Sequence, residues 1–151
     1  MRPTWDEYFA SLTRLVSTRS TCQRAQHGAV ILRDKHIIAT GYNGSPPQMP
    51  HCIDVGCYRI DHCIPSGTQY EKCRALHAEQ NALCQAAKLG LSVQDATMYI
   101  TDVPCAICTK LIHSSGIKEI VILFNSQRYD LESLEEFTHG AARTVRFLNK
   151  E

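Results

Sequence analysis

The chain has 151 residues, 44% of them hydrophobic, and its 16 basic and 15 acidic residues leave a net charge of +1. That length suits one domain, 1–151. The near-neutral balance argues against polymeric nucleic acid as a partner, since such binding draws on many Lys/Arg–phosphate contacts, but leaves room for a pocket that takes one small phosphate. No apolar run reaches 18 residues and Asp6, Glu7 and Arg14 interrupt the N-terminal stretch, so neither a transmembrane helix nor a signal peptide is predicted, no membrane partner is expected, and the chain is expected in the cytoplasm.

Thr4-Trp5-Asp6-Glu7 fits a capping box with Thr4 as N-cap. Trp5, Phe9, Leu12 and Val16 follow at helical spacing, which predicts a helix to about Arg19 with its aromatics in the core. Gly28–Arg33 and Ile37–Thr40 read as a hairpin around Asp34-Lys35. Residues 43–73 form a cysteine-rich insertion with little periodicity, and a loop of that length is usually functional or clamped. The run from His77 reads as a helix that Gly90 ends. A strand over Ala96–Thr101 follows, then a helix to about Ser115 that Pro104 opens and Gly116 stops. Next come a strand over Ile117–Phe124, a short helix over Leu131–Phe137 and a strand over Thr144–Leu148. This order predicts an α/β fold with one mixed sheet, its first two strands antiparallel and helices on both faces.

The chemistry concentrates in His77-Ala78-Glu79 and in Pro104-Cys105-Ala106-Ile107-Cys108, whose Cys105 lies 28 residues after His77. One imidazole and two thiolates neutralise a zinc dication and leave its fourth position open for water, the mark of a catalytic site. Cys105 and Cys108 lie one helical turn apart, so both sulfurs can face one point, and a helix N-terminus favours thiolate over thiol. Nitrogen and sulfur ligands favour zinc over iron. Glu79 is close to the metal but free of it. A C-x-x-C alone could be a redox pair or half a zinc knuckle, and a lone His-x-Glu occurs by chance. Together, in this order, they match the signature of zinc deaminases.

Cys22, Cys52, Cys57, Cys63 and Cys73 lie near or inside the insertion, with His51 and His62 beside them. A closed four-thiolate zinc would clamp this loop. The preferred set is Cys22, Cys52, Cys57 and Cys73, with His51, His62 or Cys63 as possible replacements. Cys84 reads as a small core residue.

Arg19-Ser-Thr-Cys22, Gly28-Ala-Val30, Gly41-Tyr-Asn-Gly44, Ile64-Pro-Ser-Gly67, the run Cys73–Ala82 and the Ile117–Val121 strand resemble the deoxycytidylate deaminase family over residues 4 to about 130. The resemblance implies a three-layer α/β/α sandwich around a five-stranded sheet. It implies hydrolysis of dCMP to dUMP and ammonia, feeding thymidylate synthesis. It also implies a homo-hexamer activated by dCTP and inhibited by dTTP, each with Mg2+. Gly41, Tyr42, Asn43 and Gly44 correspond to the segment associated with effector binding. The sequence departs from the family at His27, where an apolar residue is expected, and over Phe124–Tyr129.

Within this reading Glu79 carries protons between water, ring N3 and the leaving ammonia. Asn43 suits the deoxyribose 3′-hydroxyl or the base, against a plain turn role in Asn-Gly. Arg24 suits the 5′-phosphate, against a solvated cation. Ala78 joins the substrate contacts, Arg128 could touch phosphate and Tyr129 could close over the substrate. Tyr42 could instead be a packed aromatic, and Lys110 and His113 surface residues. The competing readings are a dual dCMP/dCTP deaminase, a tRNA adenosine or free cytidine deaminase, and a non-catalytic zinc-binding module.

Overall fold

In the computed structural model, residues 1–139 and 143–148 are described. Helix α1 (Trp5–Ser17) starts on the expected capping box: the Glu7 N–H donates to Thr4 Oγ1 at 3.2 Å and the Thr4 N–H to the Glu7 carboxylate at 2.7 Å. It buries Phe9, Ala10 and Thr13. Trp5 stays outside that core, 46% exposed, because Phe9 and Tyr99, 5.6 Å apart, already fill the space against the sheet. Its indole stacks on Phe9 and meets Lys35 Nζ at 5.0 Å.

Strands β1 (Gly28–Arg33) and β2 (His36–Tyr42) form the predicted hairpin. Asp34 and Lys35 turn it with φ of 51° and 62°, the left-handed pair that a two-residue hairpin requires. The insertion contributes two single-turn helices, α2 (Cys52–Val55) and α3 (Tyr58–Asp61), and a short turn at Tyr70–Lys72. Then come α4 (Ala78–Lys88), β3 (Thr97–Ile100), α5 (Ala106–Ser114), β4 (Glu119–Ile122), α6 (Glu132–Thr138) and β5 (Thr144–Phe147). Gly116 leaves α5 at φ +89°, the stop expected of it.

The sheet order is β2-β1-β3-β4-β5, with β1 antiparallel to both neighbours and β3, β4 and β5 parallel. Alternation along the central strands explains the layers. Ala29, Ile31, Met98, Ile100, Ile120 and Ile122 point to one face and share a core with Ala78, Ala82 and Ala86 of α4, Ile112 of α5 and Phe137 of α6. Val30, Leu32, Tyr99 and Val121 point to the other and pack on Phe9 and Ala10 of α1. The result is the expected α/β/α arrangement.

Two local expectations need correction. Cys84 is exposed, not core. The residues α4 buries include Ala82 and Ala86, and at about 100° per residue Cys84 falls on the opposite side. Pro104 is not the first helical residue: Cys105 is the N-cap and Pro104 precedes it. Among the described residues no helix is long and apolar enough to cross a membrane.

Candidate active site

Two helix starts converge at the ends of β2 and β3. His77 is the N-cap of α4, held there by its own N–H donating to Gln80 Oε1 at 2.8 Å. Cys105 caps α5, and its sulfur accepts the N–H of Cys108 at 3.4 Å. His77 Nδ1 lies 3.6 Å from Cys105 Sγ and 3.3 Å from Cys108 Sγ. Tetrahedral zinc, with its usual Zn–N and Zn–S lengths, sets its nitrogen and sulfur ligands roughly 3.5 Å apart. The donor set therefore fits zinc in type and in spacing. Among the described residues this is the group of three or more metal-ligating side chains whose donor atoms all lie within 4.8 Å of one another.

The three donors are coupled, and their shifts differ in direction. The Cys105 thiol is pushed down to about 4, chiefly by the hydrogen bond from Cys108 and, against burial, by His77 and the Cys108 N–H. Cys108 is pushed up, first by donating to Cys105 and then by burial and the Glu79 charge. Burial lowers His77, but the Cys105 and Glu79 charges outweigh it and hold the imidazole above its ordinary value. Glu79, 8% exposed, is pushed up by burial above all. A carboxyl raised in this way is suited to giving and taking a proton.

A cavity of about 70 Å³ opens beside this cluster. Arg24, Asn43, Ala78, Glu79, Arg128 and Tyr129, each singled out in the sequence, all line it. Asn43 is 7% exposed and its amide is largely engaged: Oδ1 accepts the His27 N–H at 2.8 Å and Nδ2 donates to Ala25 O at 2.9 Å. It fixes the loop that carries Arg24. Arg24 Nη1 donates to Ile64 O at 3.0 Å. Arg128 is exposed, with Nη1 3.4 Å from His27 Nε2, so the unexpected His27 forms part of the cavity wall. The Tyr129 hydroxyl meets that of Tyr70.

Gly41 is a packing residue of this site. A Cβ there would sit 2.3 Å from Ala78 O and 2.4 Å from Ala82 N, so β2 and α4 touch through bare backbone. Tyr42 is half-buried and its C=O accepts from Asn81 Nδ2 at 2.8 Å. Gly44 pairs by backbone with Leu76, the residue before His77. Lys110 and His113 lie away from the cluster, in a groove between α5 and α6.

In and beside the insertion, Cys52 and Cys57 are buried, Cys22 and Cys73 half-buried and Cys63 exposed. Burial raises the Cys52 thiol, and the neighbouring Cys57, Cys73 and Cys22 raise it further. These four do not close to the separation of the His77 cluster. His51 Nδ1 is 3.1 Å from Thr21 Oγ1 and exposed His62 stacks on Tyr58. The sequence did not point to Arg59 or Tyr70, which also line the cavity. Both come from the insertion, where no periodicity signals which side chains turn inward.

The family profile described as the cytidine and deoxycytidylate deaminase zinc-binding region matches residues 3–124. The chain belongs to the cytidine and deoxycytidylate deaminase family. It is 43% identical to ComE operon protein 2 of Bacillus subtilis, over 79% of this chain and 59% of that one. It is 40% identical to the deoxycytidylate deaminase of Saccharomyces cerevisiae, over 97% of this chain and 45% of that one. The chain thus spans about half the length of these curated relatives. Among solved structures, the dCMP deaminase of cyanophage S-TIM5 in complex with dCMP and dUMP superposes with a TM-score of 0.75. Its identity is 25%, over 98% of this chain and 99% of that one.

Proposed function

We propose that this chain, a single deaminase domain with a cysteine-rich insertion, hydrolyses dCMP to dUMP and ammonia. The observation that carries the reading is a three-ligand metal cluster with a buried, unliganded carboxylate beside it, at the floor of a cavity lined by guanidinium groups. A structural zinc has no use for a free acid. The similarity to deoxycytidylate deaminases and to a dCMP-bound relative supports the choice of substrate.

His77, Cys105 and Cys108 would hold the zinc, which when bound acts as a Lewis acid and makes water acidic near neutral pH. Glu79 accepts a proton from the attacking water and passes it to N3 of the cytosine ring. It then takes the proton of the hydroxyl added at C4 and delivers it to the amine, which leaves as ammonia as the C4–N bond breaks and the C4 carbonyl forms. Each transfer restores the carboxylate, so one residue serves the whole cycle. Its buried setting strengthens these exchanges. Ala78 and Asn43 shape the base and sugar end, Arg24 and Arg128 attract the 5′-phosphate, and Tyr129 closes the mouth. Cys22, Cys52, Cys57 and Cys73 would hold a second, structural zinc that clamps the insertion.

The family reading extends to a cytoplasmic homo-hexamer that supplies dUMP for thymidylate synthesis. In it dCTP activates and dTTP inhibits, each with Mg2+, through the Gly41–Gly44 segment. Purified zinc-loaded protein supplied separately with deoxycytidine, dCMP and dCTP tests the reaction. The expected result is conversion of dCMP well above the other two, responsive to dCTP and dTTP with Mg2+. No conversion of any of the three, with dCTP and Mg2+ tested as activators, overturns it.

A further inference from the structure

Among the described residues, the buried side-chain nitrogen or oxygen left without a hydrogen-bond partner is Nε of Arg59, in the insertion. Arg59 of α3 is 5% exposed and lines the cavity beside the metal cluster. Among the described residues its guanidinium has no hydrogen-bond acceptor and no carboxylate partner, and its Nε is wholly buried without one. Its protein contact is a cation–π one: Cζ lies 4.9 Å from the centre of the Tyr70 ring. Arg24, by contrast, already donates to Ile64 O, and Arg128 is exposed to solvent.

A buried cation without an anion is costly, and proteins ordinarily pair it. Here the space that a partner would occupy is the substrate cavity. The missing anion therefore has the character of a ligand. Its distance from the reacting end is also suitable. Tyr70 packs edge-to-face on His77 with ring centres 4.6 Å apart, so with the 4.9 Å step to Tyr70 the guanidinium lies less than 10 Å from the His77 ring. That is the scale on which a 5′-phosphate is held from its own pyrimidine.

We propose that Arg59 is a specificity-determining residue that receives the substrate phosphate and makes the enzyme prefer a nucleotide over a nucleoside. The inference rests on the deaminase reading above and deepens it. The planar fork can donate two parallel hydrogen bonds to phosphate oxygens, and a desolvated site strengthens each. The insertion then does more than fold around its cysteines: it supplies the group that recognises what deoxycytidine lacks.

The test compares zinc-loaded wild type with Arg59→Gln and Arg59→Lys. For each, kcat/KM is measured on dCMP and on deoxycytidine, dUMP affinity by calorimetry, and zinc content and Tm as checks of folding. In Arg59→Gln the dCMP-to-deoxycytidine ratio of kcat/KM should fall roughly tenfold to hundredfold, the worth of a charge-assisted hydrogen bond. dUMP affinity should fall by a similar factor, and Arg59→Lys should fall less because charge survives without the fork. If both substrates decline in parallel, or the ratio does not move, the residue is structural and the inference is overturned. Should Arg59→Gln fail to fold, the same ratio in Arg59→Lys decides. A wild type that deaminates neither substrate refutes the proposed reaction, and dUMP binding alone then judges Arg59: equal affinity in wild type and variant overturns its role.

Discussion

Replacing Gly41 by Ala separates two explanations of one motif. By resemblance, Gly41 belongs to an effector segment; in the structure it is the point where β2 lies against the first turn of α4. The added Cβ would stand 2.3 Å from Ala78 O and 2.4 Å from Ala82 N. Both obstacles are helix backbone and neither can rotate away. Relief to an ordinary 3.4 Å contact requires about 1.1 Å of separation between strand and helix. Ala78 lies between His77 and Glu79, so the displacement falls on a metal ligand and the acid. A misplacement of about 1 Å costs on the order of 100-fold in rate, and overpacking of this kind costs about 1–3 kcal/mol of stability. The assay is kcat/KM on dCMP with zinc content and Tm measured alongside, with and without dCTP and Mg2+. Gly41→Ala should lose about two orders of magnitude whether or not dCTP is present, and melt lower. A variant with wild-type Tm and wild-type basal rate that has lost only its dCTP response would refute the packing argument.

Other perturbations read different parts of the molecule. Glu79→Gln keeps the size and loses the proton carrier; zinc content should persist while turnover falls by 10²–10⁴-fold or so, and a zinc-loaded variant with full activity would sink the mechanism. Cys52→Ser should lower the zinc content of the purified protein from two ions per chain to one, as read by elemental analysis; an unchanged ratio would remove the structural site. Asp6 accepts from Arg146 at 3.0 and 3.1 Å and from the Tyr99 hydroxyl at 2.5 Å, and Arg146 first and Tyr99 second hold its carboxyl below the usual range. Its folded value is depressed, so its contribution is present above the unfolded value of about 3.9 and lost as pH falls through the folded one. Asp6→Asn should therefore cost about 1 kcal/mol at pH 7, modest because the pair is partly exposed, and little in strong acid. Urea titrations at both pH values would show it, and a cost independent of pH would contradict the assignment.

The legible parts of this protein were those encoded by local spacing. Thr4 and Glu7, three residues apart, specify the start of α1 before any tertiary contact forms, and Asp34-Lys35 can turn only a hairpin in the setting of its flanking strands. His77, Glu79, Cys105 and Cys108 were equally readable, because helix starts fix their directions and their residue types admit few other uses together. Misreadings arose where periodicity was taken without its phase. Cys84 lies on an apolar-looking helix but on its outer side, and Trp5 is in register with Phe9 but finds the space already taken.

Arg59 and Tyr70 were illegible for a different reason. Their placement depends on how a loop with two single-turn helices folds around its cysteines, and no residue period records that. Yet these residues, with Tyr129, make the wall that a substrate must meet. The cavity of about 70 Å³ is well below the ~300–1,000 Å³ of sites that hold small molecules, and the Tyr70 and Tyr129 hydroxyls touch across it. On the proposed reaction, a nucleotide needs more room than that cavity offers. Tyr70 belongs to the insertion and Tyr129 to the loop between β4 and α6, whereas the metal ligands and Glu79 belong to helix starts packed on the sheet. Tyr70 nonetheless packs edge-to-face on His77, ring centres 4.6 Å apart, so a movement of Tyr70 is felt at that side chain. On the proposed reaction, the short motif supplies the chemistry and the irregular segments around it shape the cavity the substrate meets.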